Sequence, residues 1–216
     1  LKMREGKNEK TEVMGQVGFN GFEIGLEGPF SKKSKSSYLI HYRFSYLELI
    51  NKLGVNFGIA GIPKYQDITY KLNFPLKNGK ISIFGLGGKS HLGLRDSKIE
   101  ETSIYTLEGM DVYNGSDFFV TGASHTFFKD EKTYIKTILS YVYQNPFTYY
   151  NTVNDDNTII PRFREDNKEM KLSLKFLYNS KYSPRWSVRY GVTVDMFGYE
   201  MDTREYIKSS ESWSHL

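Results

Sequence analysis

The sequence predicts an all-β fold: an antiparallel, up-and-down sheet of the kind that forms a segment of a transmembrane β-barrel. Three observations predict it. The first is a pair of long runs with strict period-two alternation. Met170, Leu172, Leu174, Phe176 and Tyr178 alternate with Lys171, Ser173, Lys175, Leu177 and Asn179. Trp186, Val188, Tyr190, Val192, Val194 and Met196 alternate with Ser187, Arg189, Gly191, Thr193 and Asp195. Alternation of this kind gives a strand one apolar and one polar face. The second is length. Each run approaches the ~9–11 tilted residues that cross a bilayer, against roughly 5–6 in an ordinary strand. The third is that short connections (29–36, 75–79, 129–132, 179–184) alternate with long ones (46–66, 90–115, 145–167 and beyond 199). Outer-membrane barrels show this asymmetry between their two ends.

Aromatic residues sit at the ends of the opening hairpin. Tyr178, Tyr182 and Trp186 flank its turn, and Phe197 and Tyr199 lie at the far end. Those are the expected positions of interfacial girdles.

The remaining elements follow in order. Val13, Gly15, Val17 and Phe19 alternate up to Asn20-Gly21, where the phase flips to Phe22, Ile24 and Leu26. Asn-Gly tolerates positive φ at both turn positions, so two strands are expected, 11–19 and 22–28. One long strand with a bulge at Gly21 is the alternative. Tyr38, Ile40, Tyr42 and Phe44 form the next apolar row, and a helical turn is possible over 47–52. Ile68, Tyr70, Leu72 and Phe74 form another row. The strands at 80–89 and 118–128 leave their facing open, because apolar residues occur at both parities. Ile135, Thr137, Leu139, Tyr141 and Tyr143 close the series before the hairpin, for about nine strands in all.

The chain has 216 residues, no cysteine and a formal charge of +4 spread along its length. Disulfides and thiolate chemistry are thereby excluded. No basic tract suits nucleic acid, and no apolar run approaches the ~18 residues of a membrane-crossing helix. Negative mean hydropathy is compatible with a membrane barrel, since half of every strand and all its loops are polar.

Motifs for chemistry are weak. Gly85-Leu86-Gly87-Gly88-Lys89-Ser90 has the end of a phosphate-binding loop, but Ile83 stands where the first glycine belongs. Strand glycines explain it better. His41, His91, His125 and His215 lack metal-ligand spacing, and Asp155-Asp156 lies in a polar stretch where carboxylates are solvated. No catalytic, cofactor or metal residues are assigned, and no enzymatic activity is expected.

Two stretches carry a resemblance. One is Phe22-Glu23-Ile24-Gly25-Leu26-Glu27-Gly28-Pro29-Phe30 with Ser37-Tyr38-Leu39-Ile40-His41-Tyr42-Arg43-Phe44-Ser45. The other is Pro63-Lys64-Tyr65-Gln66-Asp67-Ile68-Thr69-Tyr70-Lys71-Leu72-Asn73-Phe74-Pro75 with Ser82-Ile83-Phe84-Gly85-Leu86-Gly87-Gly88. Together they resemble the early barrel of TonB-dependent outer-membrane receptors of the Bacteroidetes type. The resemblance implies a plug inside a 22-stranded barrel. Residues 1–10 would be the end of the plug and its junction to the barrel, and 11–216 a partial barrel. It also implies an outer-membrane location and import of a bulky nutrient or metal chelate. The implied partners are outer-membrane lipid, the remaining strands and plug, the TonB system through the plug, and a surface lipoprotein. A passive pore or an adhesive barrel would show the same strand pattern. A soluble carbohydrate-binding β-sheet module is the third reading.

Within a barrel, the polar parity faces the lumen. Glu23, Glu27, His41, Arg43, Lys71, Asn73, Lys171, Lys175, Arg189 and Asp195 are therefore expected to point inward, to grip the plug, guide substrate or pair across strands. Tyr149 and Tyr150, read as lying in a long loop, are the expected substrate contacts.

Overall fold

The computed structural model describes residues 3–18, 21–31, 35–47, 53–54, 61, 63–98 and 108–216. Among the described residues ten strands form one sheet in sequence order, every neighbouring pair antiparallel. They are β1 (Glu12–Gly18), β2 (Gly21–Pro29), β3 (Ser37–Phe44), β4 (Lys64–Leu76) and β5 (Gly79–Arg95), then β6 (Met110–Phe128), β7 (Thr133–Val153), β8 (Ile159–Lys181), β9 (Ser187–Ile207) and β10 (Ser212–His215). The up-and-down antiparallel expectation holds. The expected count of nine does not: β10 adds a tenth, in a stretch read as polar loop.

The pairing fixes every strand's facing. One register row runs Ile24, Tyr42, Ile68, Gly87, Phe119, Tyr143, Met170, Gly198 across β2–β9. Leu26, Ile40, Tyr70, Gly85, Thr121, Tyr141, Leu172 and Met196 form another. These rows build a continuous apolar face. It ends at a sharp polar border. Gln66, Lys89, Asp117 and Asn145 are successive partners, and Lys168 pairs with Glu200. Two ion pairs mark that border, Lys89–Asp117 at 3.0 Å and Lys168–Glu200 at 2.9 Å.

The ambiguous strands now resolve. Ile81 and Ile83 lie on the apolar face, and so do Phe119 and Phe127. Phe84, Leu86, Phe118 and Val120 lie on the opposite face and make an apolar patch among its polar residues, which is why neither parity dominated the sequence.

Burial is inverted relative to a soluble sandwich. Among the described residues Val153 is the one buried apolar side chain, whereas Ser37, Asn73, Ser82, Asp111, Ser124 and Thr126 are all buried. Val192, Val194 and Met196 are 64%, 62% and 69% exposed. The accessible surface is 14986 Å², against about 10,300 Å² for a compact protein of this mass by size scaling. Among the described residues the sheet is a single open layer without a second sheet packed on it, which accounts for both facts.

Several boundaries differ from expectation. The connection read as 90–115 shortens to 96–109, because β5 and β6 extend towards each other. Its base is clamped: the Asp111 carboxylate accepts from the Ser97 amide (3.0 Å) and hydroxyl (2.7 Å), and Asp96 accepts from the Gly109 amide (2.8 Å). The loop read at 145–167 is mostly strand. Its richness in Asn, Asp and Tyr reads as loop, yet Pro146, which has no ladder donor, interrupts the strand only locally. The β7–β8 partners step from Gln144–Glu169 to Phe147–Asp166, so the ladder skips the proline and resumes. The turn is left at 154–158, on top of a long hairpin. The polar tail after 199 is likewise β9 to Ile207, a tight turn and β10.

Gly18 pairs with Gly21, so the first hairpin forms as expected, with Gly21 already in β2 rather than in the turn. The turn residues themselves lie outside the described residues. So does the possible helical turn at 47–52, apart from Leu47. Gly85 to Ser90 is continuous strand, and β5 runs on to Arg95 where a phosphate-binding loop would need a helix, as the strand-glycine reading required. Phe197 and Tyr199 were placed in the apolar girdle, but they pair with Lys171 and Glu169 and belong to the polar face.

Candidate functional site

The face opposite the apolar band gathers the charged residues. Glu23, Glu27, His41, Arg43, Lys71, Asn73, Lys171, Lys175, Arg189 and Asp195 all share it by register. They form three groups rather than one.

In the first group, Glu23 pairs with Arg43 in the β2–β3 register. The His41 Nε2 lies 3.4 Å from Glu23. Arg43 reaches across to β4 and grips Asp67, Nε donating to Oδ1 (3.1 Å) and Nη2 to Oδ2 (2.8 Å), a bidentate arrangement suited to the planar guanidinium. Its guanidinium also lies 6.0 Å from the Tyr65 ring centre. A shallow depression of about 390 Å³ adjoins this group at the end of the face, lined in part by Tyr65, Ser90 and Asn114.

The second group is built with a segment outside the sheet. Residues 3–8 form a strap across the lower polar face. Arg4 donates both guanidinium arms to Glu27, and the Lys7 amide donates to the same carboxylate at 3.0 Å. Lys71 Nζ donates to the Met3 carbonyl at 2.8 Å, and Lys80 Nζ donates to the Glu5 carboxylate. Gly6 passes so close to β3 that a Cβ there would fall 2.1 Å from the Tyr38 carbonyl oxygen, so no other residue fits without moving the strap. Beneath the strap, Ser37, Asn73, Ser82 and Ser124 form one buried register row. Ser82 donates to Asn73 Oδ1 at 2.7 Å, while Asn73 Nδ2 has no protein partner. The Lys80 hydrogen bond, aided by the charges of Lys71 and Lys136, holds the Glu5 carboxyl below its ordinary value.

The third group is smaller. Lys171 pairs with Asp195 at 3.0 Å, and its ammonium lies 4.9 Å from the Phe197 ring centre. Arg189 stands opposite Asn179, away from both other groups.

Tyr149 and Tyr150 lie in β7, not in a loop, and as neighbours on a strand they point to opposite faces. Tyr149 is on the side of the apolar band, beyond the polar border. Its hydroxyl donates to Asp166 at 2.6 Å, it stacks on Phe147, and Arg164 lies between it and Trp213. Tyr150 stacks on Phe163 on the polar face, 5.2 Å between ring centres. Of the two, only Tyr150 can meet something held on the polar face.

The sequence reading missed Asp67, Lys80, Lys136 and Glu5. Asp67 and Lys136 had the right parity and could have been found from it, whereas Lys80 lies on β5, whose facing the sequence left open. Glu5 had no periodicity to place it. No cluster of metal-ligating side chains occurs among the described residues. Comparison with known proteins finds no matching family model, no similar curated protein and no similar solved structure.

Proposed function

We propose that this chain is part of a TonB-dependent outer-membrane transporter that imports a bulky nutrient or metal chelate, its apolar face against lipid and its polar face lining the lumen. The observation that carries the reading is the apolar band bounded by the polar border row. From Met170 to Tyr178 the band is nine residues tall on β8, about 27 Å of strand. Tilted as barrel strands are, this is about 20 Å high, close to the ~25 Å outward apolar band of outer-membrane barrels. The upper parts of β6–β9 would then project outside the membrane.

Resemblance of residues 22–45 and 63–88 to the early barrel of that receptor family supports the transporter over a passive pore. So does the strap, which lies on the polar face where a plug's last residues would leave the lumen. In this reading TonB acts through the plug, and the free edges of the sheet pair with further strands. A surface lipoprotein would dock on the projecting strands. No catalytic role is assigned.

The test of the membrane reading uses the absence of native cysteine. A fluorophore on Val192→Cys should be quenched by a bilayer-embedded quencher, and one on Thr193→Cys by an aqueous quencher. Equal aqueous quenching of both would favour the soluble module. Uptake by the full reading frame that persists without TonB would favour a passive pore.

A further inference from the structure

Three lysines on the polar face converge on one carboxylate. Lys71 on β4, Lys80 on β5 and Lys136 on β7 all occupy polar-face register positions. Lys80 and Lys136 flank Thr126 in a single row. Lys71 stands two residues from Asn73, one row up from the buried Ser37–Asn73–Ser82–Ser124 row. Lys80 donates to Glu5, and the charges of Lys71 and Lys136 act on the same carboxylate. Among the polar-face positions of β4–β7, the sole acidic residue is Asp67, which Arg43 already holds. The lysines therefore face an acid supplied from outside the sheet. Asn73 is 3% exposed and aims an amide donor without a protein partner into the same region. Several cations and a spare buried donor around one carboxylate are the features of an oxyanion site.

We propose that Lys71, Lys80, Lys136 and Asn73 form a binding site for a ligand bearing a carboxylate or phosphate group, and that Glu5 of the strap occupies it as an internal stand-in. Ligand and strap compete. An anion entering the site displaces Glu5 and loosens the strap, and a firmly seated strap keeps small anions out. The inference stands on the polar face alone, whatever covers the apolar face, so its failure and that of the transporter reading are separable.

The test titrates inorganic phosphate and citrate, as separate arms, into the full chain in detergent micelles. Glu5→Gln should bind one of the two at least about tenfold more tightly than the unmodified chain, the worth of one charge-assisted hydrogen bond. Adding Lys80→Gln should remove that gain, and adding Lys208→Gln, exposed in the turn between β9 and β10, should leave it. Equal binding by Glu5→Gln and the unmodified chain overturns the proposal, as does a gain that survives Lys80→Gln. A second measurement leaves Glu5 intact. A spin label on Met3→Cys should become mobile on adding the bound anion and stay ordered in potassium chloride of equal ionic strength. A label that stays ordered with anion, or is freed equally by chloride, also overturns it.

Discussion

The Tyr70 hydroxyl on β4 lies 2.9 Å from Thr121 Oγ1 on β6, reaching over the whole width of β5. Tyr70, Gly85 and Thr121 share one register row. The tyrosine ring lies flat across the glycine: a Cβ at Gly85 would fall 2.4 Å from its ring carbons. Thr121 in turn donates to the Phe84 carbonyl at 3.3 Å, so the tyrosine is the donor in the pair. Within an apolar face, both hydroxyls are thereby satisfied inside the protein, as the proposed contact with lipid would require.

The first prediction concerns this bridge. Gly85→Ala should force Tyr70 off the row and destabilise the sheet by about 1–3 kcal/mol, the usual cost of overpacking. Tyr70→Phe should cost about 1 kcal/mol through the lost hydrogen bond. Denaturant unfolding from lipid vesicles measures both. An indifferent Gly85→Ala would show that the ring does not lie across the glycine.

Parity on β9 gives the second. Val192 belongs to the apolar face and Thr193 to the polar face. Val192→Arg should cost about 2–4 kcal/mol of folding free energy in a bilayer if it sits near the midplane, whereas Thr193→Arg should be tolerated. The reverse pattern would mean that lipid covers the face bearing the lysines.

Acid should release the strap. The Glu5 carboxyl is held below its ordinary value, first by the Lys80 hydrogen bond and then by the charges of Lys80, Lys71 and Lys136. A depressed carboxylate contributes stability that is complete above its unfolded value and lost as pH falls through its folded one. The label on Met3→Cys should therefore stay ordered at neutral pH and gain mobility only below the usual carboxylate range. Lys80→Gln should move that transition towards higher pH. An unchanged midpoint would mean that Glu5 does not fasten the strap.

Much of the sheet was legible because period-two alternation directly encodes facing. Tyr178 to Met170 and Val188 to Met196 needed no structure to be placed on one side. Legibility failed where the physics is not periodic. Phe84 and Phe118 sit on the polar face, so hydrophobicity alone could not choose a parity for β5 or β6. Asn145-Pro146 broke the sequence pattern, although the ladder merely skips two residues there. Phe197 was assigned by its aromatic character and its place near a strand end, and one residue of parity put it on the other face. For the candidate site, parity found Lys71 and Asn73, but nothing local to Glu5 could reveal that a segment before β1 folds back onto them.

The last prediction concerns the free edge of β9. Nine expected strands would have given a parallel seam on closure; ten remove that objection, yet the sheet does not close. β10 covers β9 only at Arg204–Ile207, and the ladder continues one step through the Leu216 amide to the Thr203 carbonyl at 2.9 Å. From Ser187 to Asp202 that side of β9 meets no strand among the described residues. β1, with seven residues, is far too short to cover the 21 of β9. In lipid each unsatisfied backbone group costs several kcal/mol, so under the proposed membrane reading the edge is paired by further strands or by a second copy. The 216-residue chain reconstituted in detergent is expected to form oligomers that cross-link through single cysteines on β9. Hydrogen exchange in those oligomers should show protected β9 amides, with protection lost on dilution to monomer. A stable monomer with every β9 amide protected would mean that the chain closes on itself and that the open sheet is not its resting form.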